Sequence, residues 1–171
     1  MYKIIAAIFI AHCLLSCQKE KTEIQPKEEQ KTVSNTVTKR DINKLNFKDL
    51  AISEELRQFT NNWLKFIELQ SHIDEIRRAD FVFFKINYAD INLLFSDLKK
   101  NIPEKFNTNT IISRINLLDT KITIFCGHLN QSYTSKETLL NNIKDVLEAN
   151  TTLILHLERQ IEFDAYYAVP E

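Results

Sequence analysis

One glycine, Gly127, serves all 171 residues, where average usage near 7% gives about a dozen. Loops that cradle phosphate, and the turns that hold dinucleotides, place several glycines at fixed spacing. Tight hairpins rely on Gly or Asn where φ is positive. The chain therefore has no P-loop or Rossmann site, and its composition disfavours a β-rich fold. Helices carry no such requirement.

Apolar residues then recur at helical spacing. Leu56, Phe59, Trp63, Phe66, Gln70 and Ile73 form one stripe, and Phe81, Phe84, Tyr88, Ile91, Phe95 and Leu98 a second. Ile111, Ile115, Leu118, Ile122, Phe125 and Leu129 form a third. Leu140, Ile143, Leu147, Asn150, Ile154, Leu157 and Ile161 form a fourth. Steps of three and four keep each set on one helix face. Four amphipathic helices with short connections predict an all-α fold, an antiparallel up-down-up-down four-helix bundle. Two stripe positions are polar, Gln70 and Asn150. They either face each other inside and set the register or lie at the stripe edge.

Breaks between segments are partly marked. Ser53 before Glu54 and Glu55 reads as a helix start, as do Asn107 to Thr110 and Ser135 with Thr138. Pro103 follows Lys99, Lys100 and Asn101, a helix end. Between Gln70 and Phe81 there is neither Gly nor Pro. One helix from Ser53 to Lys100 would run about 72 Å. A compact bundle requires a turn within 72–80, with Asp74 or Asp80 as cap; a kinked long helix is the alternative.

The N-terminus is of another kind. Lys3 precedes an apolar run from Ile4 to Leu15, well short of the roughly 20 residues that span a bilayer. A short basic region, an apolar core and a small residue make a signal peptide over 1–16. The end of the run, Leu14-Leu15-Ser16-Cys17, resembles the lipobox of bacterial lipoproteins. That resemblance implies cleavage between Ser16 and Cys17, a diacylglyceryl group on the Cys17 thiol, and acylation of the new amino terminus. Two or three acyl chains give stable membrane residence where one is marginal. Residues 17–46 then read as the lipidated cysteine and a flexible tether: the charged runs at 18–21 and 26–31 bury too little apolar surface to offset ordering. The helical domain is expected over 47–171.

The chain holds 22 Lys and Arg against 23 Asp and Glu, and cleavage would remove only Lys3. Such balance gives no dominant basic face for nucleic acid. With Cys13 cleaved and Cys17 lipidated, Cys126 is left without a disulfide partner, and its helical spacing suits a small buried hydrophobe.

No constellation demands chemistry. A carboxylate-bridged metal pair requires two Glu-x-x-His motifs, whereas Glu68 and His72 are four apart. His128 and His156, with Glu158, lie on later segments. Cys126-Gly127-His128 lacks the first cysteine of a c-type haem motif. Asp74/Glu75 and Glu162/Asp164 read as solvated charge, so no catalytic residue, metal or cofactor is assigned. In the run Phe81 to Tyr88, Phe83 and Ile86 fall off the stripe. Either that helix is buried on two sides, or Phe83 and Ile86 offer apolar surface to a partner. The C-terminal Tyr166 to Pro170 either docks back or pairs elsewhere.

Signal peptide, charged tether and glycine-poor helical domain together are similar to the small all-helical lipoproteins of Bacteroidetes-type bacteria. Asp80 to Lys85, Lys100 to Pro103, and Ser113 to Ile115 with Leu118 to Lys121 carry the likeness. It implies the fold and an outer-membrane location, and no activity. Gln18-Lys19-Glu20 matches the start of the export signal of that group; Lys21 departs from it and leaves the membrane face open. The expectation is a membrane-anchored envelope protein whose domain binds a protein or envelope component. A metal-binding or enzymatic bundle and a periplasmic inhibitor or immunity-type protein are the alternatives.

Overall fold

The chain order is set by where helices can start and stop. A computed structural model describes residues 36–86 and 88–167, without the side chains of Ile86, Tyr88 and Tyr167. The signal peptide, Cys17 and residues 17–35 of the expected tether lie outside the described residues. These are all-helical, with no strand among them: α1 (Lys39–Ile42), α2 (Glu54–Thr60), α3 (Leu64–Arg77), α4 (Val82–Ile86), α5 (Tyr88–Lys100), a 3-10 turn (Glu104–Phe106), α6 (Asn109–Leu129) and α7 (Lys136–Tyr167).

The packed chain begins earlier than position 47, inside the stretch assigned to the tether. Thr38 caps α1. Its backbone N–H donates to the Asp41 carboxylate at 2.9 Å, and the Asp41 N–H donates back to its hydroxyl. Val37 and Ile42 sit at the two positions of a hydrophobic staple, and both are buried. Asp41 also receives Lys136 of α7 at 2.8 Å. The Lys136 ammonium first, and then the Thr38 hydroxyl and amide, hold the Asp41 carboxyl far below its ordinary pKa of 3.8. Folding therefore gains from this carboxylate above that value and loses the gain on acidification below it.

The first stripe is two helices. Ser53 caps α2 by accepting from the Leu56 N–H at 3.0 Å, and α2 stops at Thr60, before Asn61 and Asn62. The break shifts the helical phase. Phe59 is consequently 43% exposed, its ring covered by Lys105 with Nζ 4.2 Å from the centroid. Trp63 re-enters the core, stacked on Phe66 and Phe106. Its indole N–H donates to the Leu98 carbonyl at 3.0 Å, one of the last four α5 carbonyls that the helix itself leaves unpaired.

A turn does fall within 72–80, after Arg77. The Asp80 N–H donates to the Glu75 carbonyl at 2.9 Å and the Ala79 N–H to the Ile76 carbonyl at 3.0 Å, the two bonds of a Schellman motif. Ala79 occupies the left-handed position, at φ 61, where glycine is usual. Asp80, two residues before α4, accepts the Val82 N–H of its first turn on Oδ1 at 3.2 Å.

α6 and α7 run antiparallel, as Lys121 pairs with Asp145 and His128 with Asn142. At 32 residues, α7 is about 48 Å long and outreaches α6. Its further half takes the N-terminal elements. Ser53 donates through N–H and hydroxyl to Glu158 at 3.0 and 2.9 Å. Lys105 pairs with Asp164. Gln70 and Asn150 exchange amide hydrogen bonds at 2.9 and 3.2 Å, with Asn150 fully buried. The two polar stripe positions do face each other.

Two backbone substitutions should each raise the melting temperature. Ala79→Gly relieves the left-handed alanine. Gly127→Ala fills a helix interior where a Cβ meets nothing within 4 Å. Each should stabilise by about 0.5–1 kcal/mol, measured by calorimetry. Asn150→Ala strands the Gln70 amide and should cost about 1–3 kcal/mol. The Gln70→Leu, Asn150→Leu double variant should lose less in the same denaturant titration.

Candidate functional site

The loop before α2 crosses α3 and leaves an open groove between them. Its polar end is a recess of about 500 Å³ formed by Asp49, Leu50, Ala51, Asp74 and Arg77, with Ile154 of α7 also in its wall. Its apolar end is a recess of about 280 Å³ formed by Thr60, Asn61, Phe66 and Ile67. Ile52, Arg57 and Gln70 line both, so the two recesses adjoin along these residues as the two ends of one groove. Ile67 is 48% exposed and neighbouring Leu64 72%, which extends apolar surface beyond the rim.

Charge in the groove is unevenly used. Arg77 grips Asp49 through Nε and Nη2 at 3.2 and 2.9 Å, and reaches Asp74 through Nη1 at 2.8 Å. One guanidinium thus serves two carboxylates. Arg57, one helix away, makes no ion pair among the described residues. The Gln70 amide is turned toward Asn150 and keeps one N–H and one lone pair for a further partner.

The other candidate residues are held elsewhere. Phe83 is half-buried, its ring stacked on His72 with centroids 3.6 Å apart and set edge-on to Phe84. Of its two alternatives, burial on a second side and surface offered to a partner, the ring shows partial burial against the core. The side chain of Ile86 lies outside the described residues. Val82, in the same run, is 62% exposed. It lines a third recess of about 440 Å³ with Ala79, Phe81, Lys85 and Leu129.

The histidines and their neighbours take separate partners. Glu68 binds Lys65 at 2.7 Å, His72 binds Glu75 at 2.9 Å and His128 binds Asn142 at 2.7 Å. Glu158 is used by Ser53. His156 has its pKa lowered by burial first, then by Arg114 and Arg159. Among the described residues no three His, Cys, Asp or Glu side chains group as metal ligands. Ser16 and Cys17 lie outside the described residues.

Cys126 is buried, and desolvation pushes its thiol up to about 11. Comparison with known protein families, curated proteins and solved structures finds no match to this chain.

Because the thiolate is the reactive form, Cys126 should be inert to a disulfide reagent at neutral pH in the folded protein. In a Cys13→Ala, Cys17→Ser background, absorbance should report release of one thionitrobenzoate only after denaturant is added. Rapid reaction of the native chain would contradict the burial.

Proposed function

We propose that this chain is a lipid-anchored envelope protein of the small helical lipoprotein kind, and that its domain acts by binding a protein or envelope component. The observation that carries the binding reading is the groove beside α2. It sets an apolar recess beside a polar one and leaves a guanidinium, Arg57, without an ion pair among the described residues. Open clefts with apolar walls and a few polar groups are where ligands bind.

The long helices α3, α5, α6 and α7 serve, in this reading, as an up-down-up-down bundle that keeps the groove rigid. The antiparallel α6–α7 pairing and the α3–α7 amide bond support that arrangement. Among the described residues no helix is long and apolar enough to cross a membrane. Membrane residence in this proposal rests on acyl chains at Cys17, placed in the outer membrane by the likeness to the helical lipoproteins. The support is the order of basic residue, apolar run, Ser16 and Cys17.

Expressed in a bacterial host, the chain should fractionate with membranes. Mass spectrometry of its N-terminal peptide should show a thioether-linked diacylglycerol, and Cys17→Ser should move the protein to the aqueous fraction. An unmodified Cys17 would end the anchor reading. For binding, crosslinking in intact envelopes should yield a discrete adduct with the full chain. Residues 1–35 fused to an unrelated domain should give none. The same adduct from that control would end the binding reading.

A further inference from the structure

Resting on that binding reading, we infer that the groove takes the free carboxyl end of a peptide whose last residue is apolar, with the terminal carboxylate on Arg57. Four features of the groove carry this, and they lie in the order such a ligand requires.

The first is the unpaired guanidinium. Arg57 lines both recesses and has no ion pair among the described residues. A guanidinium presents a planar fork of donors that matches a carboxylate through two parallel bonds. The second is the apolar recess on one side of it. Ile52, Phe66, Ile67 and Thr60 line an open recess of about 280 Å³, room for a leucine- or phenylalanine-sized side chain branching from the same terminal residue.

The third is the direction left for the rest of the chain. From Ile67 to Arg77 the groove follows α3 for about 15 Å, at 1.5 Å per residue. An extended peptide covers that distance in four or five residues, at roughly 3.3 Å each. Gln70, about a third of the way along, retains one donor and one acceptor for its backbone. The fourth is the charge at the far end. Asp49 and Asp74 share Arg77 alone, so with Arg57 taken by the terminal carboxylate one negative charge is left in surplus. A basic residue upstream of the terminus suits that end.

A fatty acid also joins a carboxylate to an apolar chain, but it fits only half of this groove. Laid toward α3 Arg77, it leaves the Gln70 amide and the two carboxylates facing hydrocarbon, and burying such groups unpaired is unfavourable. The polar end therefore favours a peptide.

The test uses the full chain in detergent and a fluorescein-labelled pentapeptide with lysine near its start and a C-terminal leucine. Anisotropy should show saturable binding. The C-terminal amide twin should bind at least tenfold more weakly, as should a peptide ending in glycine. Arg57→Gln should lose at least tenfold, while Arg78→Gln, an equal loss of charge outside the groove, should change nothing. Circular dichroism checks that each variant is folded. Trp63, the only tryptophan, stacks on Phe66 at the apolar end, so its emission should shift with the leucine peptide and not with its glycine analogue. Equal affinity for acid and amide, or full binding by Arg57→Gln, overturns the assignment. So does dodecanoate that binds more tightly than the peptide and displaces it, and so does the absence of binding by leucine-, phenylalanine- and valine-ended peptides at millimolar concentration. If Arg57→Gln still forms the envelope adduct, this site is wrong while the binding reading stands.

Discussion

α7 is longer than any helix that packs against it, and the rest of the structure is arranged to cover it. Ile143, Val146, Leu147, Leu153, Ile154, Leu157 and Ile161 are all buried. No single partner of 21 residues or fewer runs the length of this 32-residue helix. α6 covers the first half, and the second half is met by α2, α3 and the 3-10 turn. Each partner meets α7 through at least one polar contact with a fixed address: Asp41 to Lys136, Asn142 to His128, Gln70 to Asn150, Ser53 to Glu158 and Lys105 to Asp164. Apolar burial drives the packing, and these contacts fix where along α7 each element stops.

The groove follows from that division. A short α2, capped at Ser53 and tied to Glu158, cannot lie flush along α3, because Asn61 and Asn62 turn the chain between them. The loop at 49–52 is held to α3 by the Arg77 grip on Asp49. Two elements fixed at separate points leave a cleft where they fail to touch. Its floor is polar at Gln70 because that amide is committed to Asn150, and apolar at Phe66 because Phe66 belongs to the Trp63 stack.

The stripes made most of the core legible. On the third, Ile111 through Phe125 are buried as expected; on the fourth, even polar Asn150 is. Where the structure departs from the stripes, the cause is local. Phe59 obeys the period but lies before a break that no Gly or Pro announces. The α3 end was hidden because alanine stands where a glycine normally signals a Schellman turn. α1 is one turn long, too short for periodicity, although Thr38 and Asp41 spell a capping box. Phe83 breaks its stripe and yet is covered, since the ring of His72, eleven residues back, lies flat against it. The groove left no trace in any window of the sequence: Asp49, Arg57 and Gln70 come from a loop and two helices, and only packing brings them together.

The length of α7 also orders events in time. α6 and α7 are neighbours in the chain, with contacts spanning 14 and 24 residues. Ser53 and Glu158 are 105 apart, and Gln70 and Asn150 are 80 apart. Contacts this distant close late, because the entropy of the intervening loop must be lost first. A chain made from its N-terminus produces α2 and α3 well before the surface they dock on exists. The α6–α7 hairpin is then the template, and the first helices made are the last to settle. A truncation that removes the end of α7 leaves α6 with its partner and takes from Ser53 and Lys105 the carboxylates of Glu158 and Asp164.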